Sequence, residues 1–116
     1  MNSSFQTPEA VLTHEVLNAE IVTQAAENAL QGGAGAVVTF VGAVRNHAKG
    51  PDGATHSVDY LEYSAYETMA RREMQRIADE VKAKWNLPCA IYHRLGRLQI
   101  GEASVIIAVA SAHRAV

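Results

Sequence analysis

Three places in this sequence set basic or titratable side chains directly after an apolar run. The first is Phe40-Val41-Gly42-Ala43-Val44-Arg45-Asn46-His47, where Arg45 emerges at the end of AVVTFVGAV. A guanidinium there can hold a phosphate or carboxylate through two parallel hydrogen bonds. A solvated strand-end arginine fits the same spacing. The second is His93-Arg94-Leu95-Gly96-Arg97-Leu98, with Gly101-Glu102 beyond it. It suits a binding turn, and equally a hairpin-like connection carrying solvated arginines. The third is Ser111-Ala112-His113-Arg114, directly after ASVIIAVA. Ser111 is a good N-cap, and free backbone N–H groups beside a histidine and an arginine suit an anion. A capped helix with a solvated arginine reads the same way.

Other chemistries lack their residues. There is no H-E-x-x-H, no paired CxxC, no G-x-S-x-G, and neither G-x-G-x-x-G nor a P-loop after any strand. Cys89, beside Pro88 in apolar company, suits a small core residue better than a nucleophile. A single cysteine in 116 residues cannot form an internal disulfide, which fits a reducing, cytoplasmic setting. The formal net charge of −2 argues against a general nucleic-acid binder. No apolar stretch approaches the roughly 18–20 residues needed to span a bilayer. Charge is nonetheless uneven, since all ten Lys and Arg lie from Arg45 onward. A few of them suffice for a small anionic ligand without a basic overall balance.

The elements that must position these residues follow from periodicity. Residues 1–9 read as a flexible N-terminal tail, and 10–116 as a single domain. Ala10–Leu17 reads as a strand, and Asn18 as the N-cap of a helix running to Leu30, stopped by Gly32, Gly33 and Gly35. Ala36–Val44 is apolar on both faces, as a central strand is, and Gly42 predicts a bulge or a close backbone approach. Arg45–Ala54 reads as a mobile loop, and His56–Ser64 as a strand. From Ala65 to Trp85, apolar residues at Tyr66, Ala70, Met74, Ile77, Val81 and Trp85 predict a helix with one core-facing stripe. Ala90–His93, Leu98–Ile100 and Ala103–Ala110 complete the strands. This order predicts an α+β fold, with a mixed, mostly antiparallel sheet covered by helices on one face.

The segments GAVVTFVGAVRNH, LEYSAYETMA and HRLGRLQIGEASVIIAVASAHR stand in the order seen in the catalytic, larger subunit of molybdopterin synthase. From about Gly35 to its last residue the chain resembles that family. The resemblance implies an α/β-hammerhead fold and a homodimer at the centre of a heterotetramer. At each outer end sits a small ubiquitin-like sulfur-carrier subunit, whose C-terminal Gly-Gly thiocarboxylate enters the pocket. It implies sulfur transfer to cyclic pyranopterin monophosphate, forming the dithiolene of molybdopterin, with neither cofactor nor metal. Residue by residue it implies substrate-binding roles for Ala43, Val44, Arg45, His113 and Arg114, and a pocket-lining role for Phe40. Arginines would hold the phosphate and stabilise developing charge, while His113 donates a hydrogen bond or a proton.

The family continues beyond SAHR with a helix and a segment bearing catalytic lysines, whereas the last residue here is Val116. The resemblance therefore places those lysines beyond Val116. Lys49, Lys82 and Lys84 lie in the wrong segments to replace them, so no catalytic residue is assigned within this chain. The expectation is a truncated chain, inactive or nearly so by itself. A non-catalytic module that binds a phosphorylated ligand or a partner's C-terminal tail fits the same residues. Both strand exits are polar, so Arg45, His113 and Arg114 are expected to converge on one pocket.

Overall fold

Along β8 (Ala103–Ser111) exposure alternates residue by residue. Ser104, Ile106, Ala108 and Ala110 are buried and their neighbours half-buried. Such alternation marks a strand with a different environment on each face. The computed structural model describes residues 5–45, 47–49, 55–57, 60–63 and 67–113. In it β8 lies inside a four-stranded sheet ordered β1-β6-β8-β2, with β1 at Val11–Thr13, β2 at Ala36–Ala43 and β6 at Cys89–Arg94. This corrects the reading of Ala36–Val44 as a central strand: β2 is at the edge, with Val38, Phe40 and Val41 exposed, and an apolar run does not by itself show whether a second strand pairs with it. β8 runs antiparallel to both β6 and β2, while β1 runs parallel to β6. The C-terminal ends of β1, β6 and β2 therefore share one end of the sheet. The fold is α+β with a mixed, mostly antiparallel sheet.

The helices lie on opposite faces of that sheet, which corrects the one-face expectation. Helix α1 (Ala19–Ala29) presses Val22 and Ala26 onto Ala90, Ile106, Ala108 and Ala110. Helix α2 (Glu67–Trp85) sets Met74 and Ala78 against Cys89 and Ile91, whose side chains point the other way. The stripe read for α2 is right at Met74 and wrong at Ile77 and Trp85, which are exposed while Ala78 is buried, because the helix meets the sheet along a narrower seam than its apolar spacing suggests. Strands β6 and β8 are apolar on both sides, so either face could receive either helix. Asn18 caps α1 as read from sequence, its Oδ1 accepting from the N–H groups of Glu20 and Ile21 at 2.8 and 3.4 Å. Asn86, at φ 57°, turns the chain out of α2. From Phe5 the N-terminal segment is tied to α2. Lys82 Nζ donates to the Phe5 carbonyl at 2.7 Å, and the Ala10 N–H donates to Gln75 Oε1 at 2.9 Å.

Two smaller ladders depart from the sequence reading. β3 (His47–Lys49), inside the expected loop, pairs antiparallel with β4 (Thr55–Ser57), just beyond it. The expected strand His56–Ser64 is divided. Its second part, β5 (Tyr60–Tyr63), pairs with β7 (Gly96–Gln99) instead. Glycine and proline in RNHAKGPDGA signal a turn, but the pairing of the residues around it depends on contacts that local composition does not contain.

Gly42 bears out the close-approach reading. The β2–β8 register shifts between Gly42 and Ala43. A Cβ on Gly42 would stand 2.8 Å from Val105 Cγ1. Val105 is β-branched and stiff at χ1, so it yields poorly. Gly42→Ala is expected to lower stability by about 1–3 kcal/mol through overpacking. Adding Val105→Ala should recover part of that loss in denaturant unfolding. Equal stability of the Gly42→Ala and parent chains would show that Val105 moves aside freely.

Candidate functional site

At the end of the sheet where β1, β6 and β2 terminate, backbone bonds assemble a cluster. Val44 follows β2 and is 3% exposed. Its N–H donates to the Glu102 carbonyl at 3.0 Å, and its own carbonyl accepts from the Gly101 N–H at 2.8 Å. Those partners belong to the turn between β7 and β8, where Gly101 has φ 90°, a backbone region that glycine enters freely. The Glu102 carboxylate bonds the same turn, accepting the Gln99 N–H on Oε1 at 2.7 Å. Its Oε2 meets Arg94 Nη1 at 3.1 Å. The Gln99 N–H and then Arg94 hold the Glu102 carboxyl below its ordinary range. Arg45 comes next after Val44 and is exposed. It makes no hydrogen bond or ion pair with the other described residues.

The structure thus joins the first sequence-derived exit to the second, not to the third. β2 and β8 are antiparallel, with Ala36 opposite Ser111 and Ala43 opposite Ala103. Arg45 and His113 therefore leave opposite ends of one strand pair, roughly 25–30 Å apart at about 3.3 Å per residue. Convergence of the two within a single chain is overturned. Two strands that both end in polar residues share an exit only if they run parallel, and these do not. His113 is exposed, and its N–H donates to Ser111 Oγ at 3.1 Å. Arg114, expected to bind substrate beside it, lies outside the described residues. So does Val116, beyond which the resemblance places the catalytic lysines. The described part of the expected 10–116 domain accordingly ends at His113, and no catalytic lysine is assigned within it.

The other candidates divide by face. Ala43 is exposed at the register shift, whereas the Val44 side chain is buried and its backbone groups are occupied by the turn. Phe40 is 57% exposed and sits opposite Ile107, on the face away from α1. Val38, on the same side of β2, is 73% exposed. Glu102 was noticed in the sequence only as part of a turn. Its acidic side chain three residues after Gln99, beside Gly101, was the available signal for a self-bonded turn.

No group of His, Cys, Asp and Glu among the described residues is arranged to hold a metal, and none of their helices is long and apolar enough to cross a membrane. Cys89 is buried, and burial pushes its thiol up. A disulfide-exchange reagent is expected to leave Cys89 unmodified in the native protein and to label it once denatured. Rapid native labelling would put an accessible thiolate back among the candidates.

The layers and strand ends define an α+β sheet protein that presents cations beyond its strand termini, without a nucleotide loop after any strand. Residues 12–116 match the family described as MoaE protein. The molybdopterin synthase catalytic subunit of Homo sapiens is 41% identical over 104 residues, covering 89% of this chain and 51% of the human protein. That of Staphylococcus aureus strain Mu50 is 46% identical over 81 residues, covering 69% of this chain and 51% of the relative. The crystal structure of Staphylococcus aureus molybdopterin synthase aligns at TM-score 0.73 and 39% identity, over 99% of this chain and 74% of that chain. The MoaE protein of Burkholderia ambifaria aligns at TM-score 0.77 and 25% identity, over 93% and 67%. The chain belongs to the MoaE family. It spans about half the length of the curated relatives it matches.

Proposed function

We propose that this chain serves as the catalytic subunit of a molybdopterin synthase in the cytoplasm. It would accept sulfur from a thiocarboxylated carrier subunit for transfer to cyclic pyranopterin monophosphate. Membership of the MoaE family over residues 12–116 carries the reading. Arg45 supports it: this exposed guanidinium has no partner among the described residues, and Val44 fixes its root. A phosphate is its natural bidentate ligand. The buried thiol of Cys89 agrees with sulfur carried on the partner protein.

The antiparallel β2–β8 pair sets a condition on the site. If Arg45 and the His113–Arg114 pair act on one substrate, they come from two copies of the chain. Strand β2 supports such a partnership. It is the outer strand beyond β8 in the four-stranded sheet, and its sequence AVVTFVGA carries no charge to repel another edge. A two-fold axis beside β2 would set the Arg45 end of one protomer against the His113 end of its partner. Arg45 would then hold the phosphate and His113 of the partner subunit would donate a hydrogen bond or a proton.

The test supplies thiocarboxylated carrier and cyclic pyranopterin monophosphate to this chain, and to one extended through the lysine-bearing segment that the resemblance places beyond Val116, and measures molybdopterin. Product that falls sharply in the Arg45→Ala variant supports the assignment. Tight binding of the pterin phosphate with no sulfur transfer, in the presence of competent carrier, would make the chain a binding module instead.

A further inference from the structure

The Arg94–Glu102 pair is more buried than the helix-surface ion pairs of this chain. Its side chains are 14% and 32% exposed, against 59% and 43% for Arg76 and Glu80 on α2. Arg94 Nε is buried and has no hydrogen-bond partner among the described residues. The guanidinium is thus bound through one edge, and the Glu102 carboxylate is its paired counter-charge. Glu102 also closes the β7–β8 turn through Gln99, and the turn holds both backbone groups of Val44. A second tie runs alongside, with Ser104 Oγ donating to the Gly42 carbonyl at 3.2 Å.

We propose that Glu102, gripped by Arg94, is a positioning residue for Arg45, setting where the Arg45 guanidinium leaves the sheet. This rests on the reading of Arg45 as a phosphate anchor. The path is short and covalently continuous at its end. Arg94 orients Glu102, Glu102 closes the turn, the turn fixes Val44, and Val44 is the residue before Arg45. An exposed, long side chain on a frayed strand end would sample many directions, and each one away from the ligand weakens binding. Loss of the Glu102 charge would also leave the largely buried Arg94 without its counter-ion, which drives the guanidinium to seek water and opens the turn.

The experiment uses the whole chain and two NMR readouts. One is amide hydrogen exchange at Val44 and Gly101, with Ile106 and Ala108 in β8 as internal references. The other is titration with inorganic phosphate, followed at the Arg45 side-chain Nε–H. Glu102→Ala is expected to speed exchange at Val44 and Gly101 by about tenfold or more while the β8 references hold. It should also weaken the phosphate response of Arg45 by roughly threefold to tenfold. Arg94→Lys, which keeps a charge for Glu102, should restore most of both relative to Arg94→Met. Should Glu102→Ala fail to fold, Glu102→Gln, which can still accept from Gln99, carries the test. Unchanged exchange at Val44 and Gly101, or a loosened turn with unaltered phosphate affinity, overturns the positioning role while leaving the anchor reading intact. A parent chain whose Arg45 ignores phosphate removes the anchor, and the positioning role with it.

Discussion

A mixture of Arg45→Ala and His113→Ala chains is expected to recover about a quarter of the tight pterin-binding sites that either variant alone lacks. The reasoning starts from the antiparallel register of β2 and β8, which sends Arg45 and His113 out of opposite ends of one protomer. In a two-fold dimer with shared sites, each site takes Arg45 from one chain and His113 from the other. Random exchange makes about half of the dimers mixed, and each mixed dimer has one intact site out of two. Alone, the Arg45→Ala variant should lose about 1.5–3 kcal/mol of binding to the pterin phosphate, the worth of a hydrogen bond to a charged group. That is roughly a ten- to 150-fold rise in Kd. Calorimetric titration of the mixture with the pterin reads the fraction of tight sites directly. No recovery on mixing, with both single variants impaired, would return the two residues to separate roles. Full affinity in the His113→Ala variant would remove His113 from the site.

The largest effect on stability is expected at Ile106. This side chain is 1% exposed and lies in the layer between the sheet and α1, among Val22, Ala26, Ala90, Ala108 and Ala110. Its neighbours there are mostly alanine and valine, short side chains with little reach to refill a vacated volume. Ile106→Ala is therefore expected to cost about 2–5 kcal/mol, and Ile106→Val only about 0.5–1.5. Against a typical domain stability of about 5–15 kcal/mol, the alanine variant approaches unfolding near body temperature. Chemical denaturation of both variants tests this. A loss at Ile106→Ala no greater than at Ile106→Val would mean that α1 settles onto the sheet and closes the cavity.

The elements and their chemistry differ in how far they were legible beforehand. Whereas β2, read as central and buried, is an edge strand with Val38 and Phe40 exposed, the cap at Asn18, the existence of α2, the buried strand β8 and the close approach at Gly42 are local properties. They follow from side-chain volume, capping geometry and a repeat of two or 3.6 residues, all contained within a few neighbouring positions. The segments that carry the family resemblance are also readable in order along the chain. Arg45 and His113 were visible as polar ends of apolar strands, because charge after burial marks a surface exit.

Strand direction was not visible in this way. An apolar run packs equally well in either sense, and only long-range hydrogen bonding makes β2 and β8 antiparallel. That one choice separates Arg45 from His113 and ties Val44, the residue before Arg45, to the turn that holds Glu102. Nor was it visible that α1 and α2 cover opposite faces, because β6 and β8 are apolar on both. The amino-acid sequence by itself thus determined where most strands and helices form, where α1 is capped and which residues carry charge at an exit, but not that β2 lies at the edge with its apolar residues exposed. Tertiary structure decided which exits meet, since backbone pairing between distant segments depends on the whole sheet and leaves no mark on either segment alone.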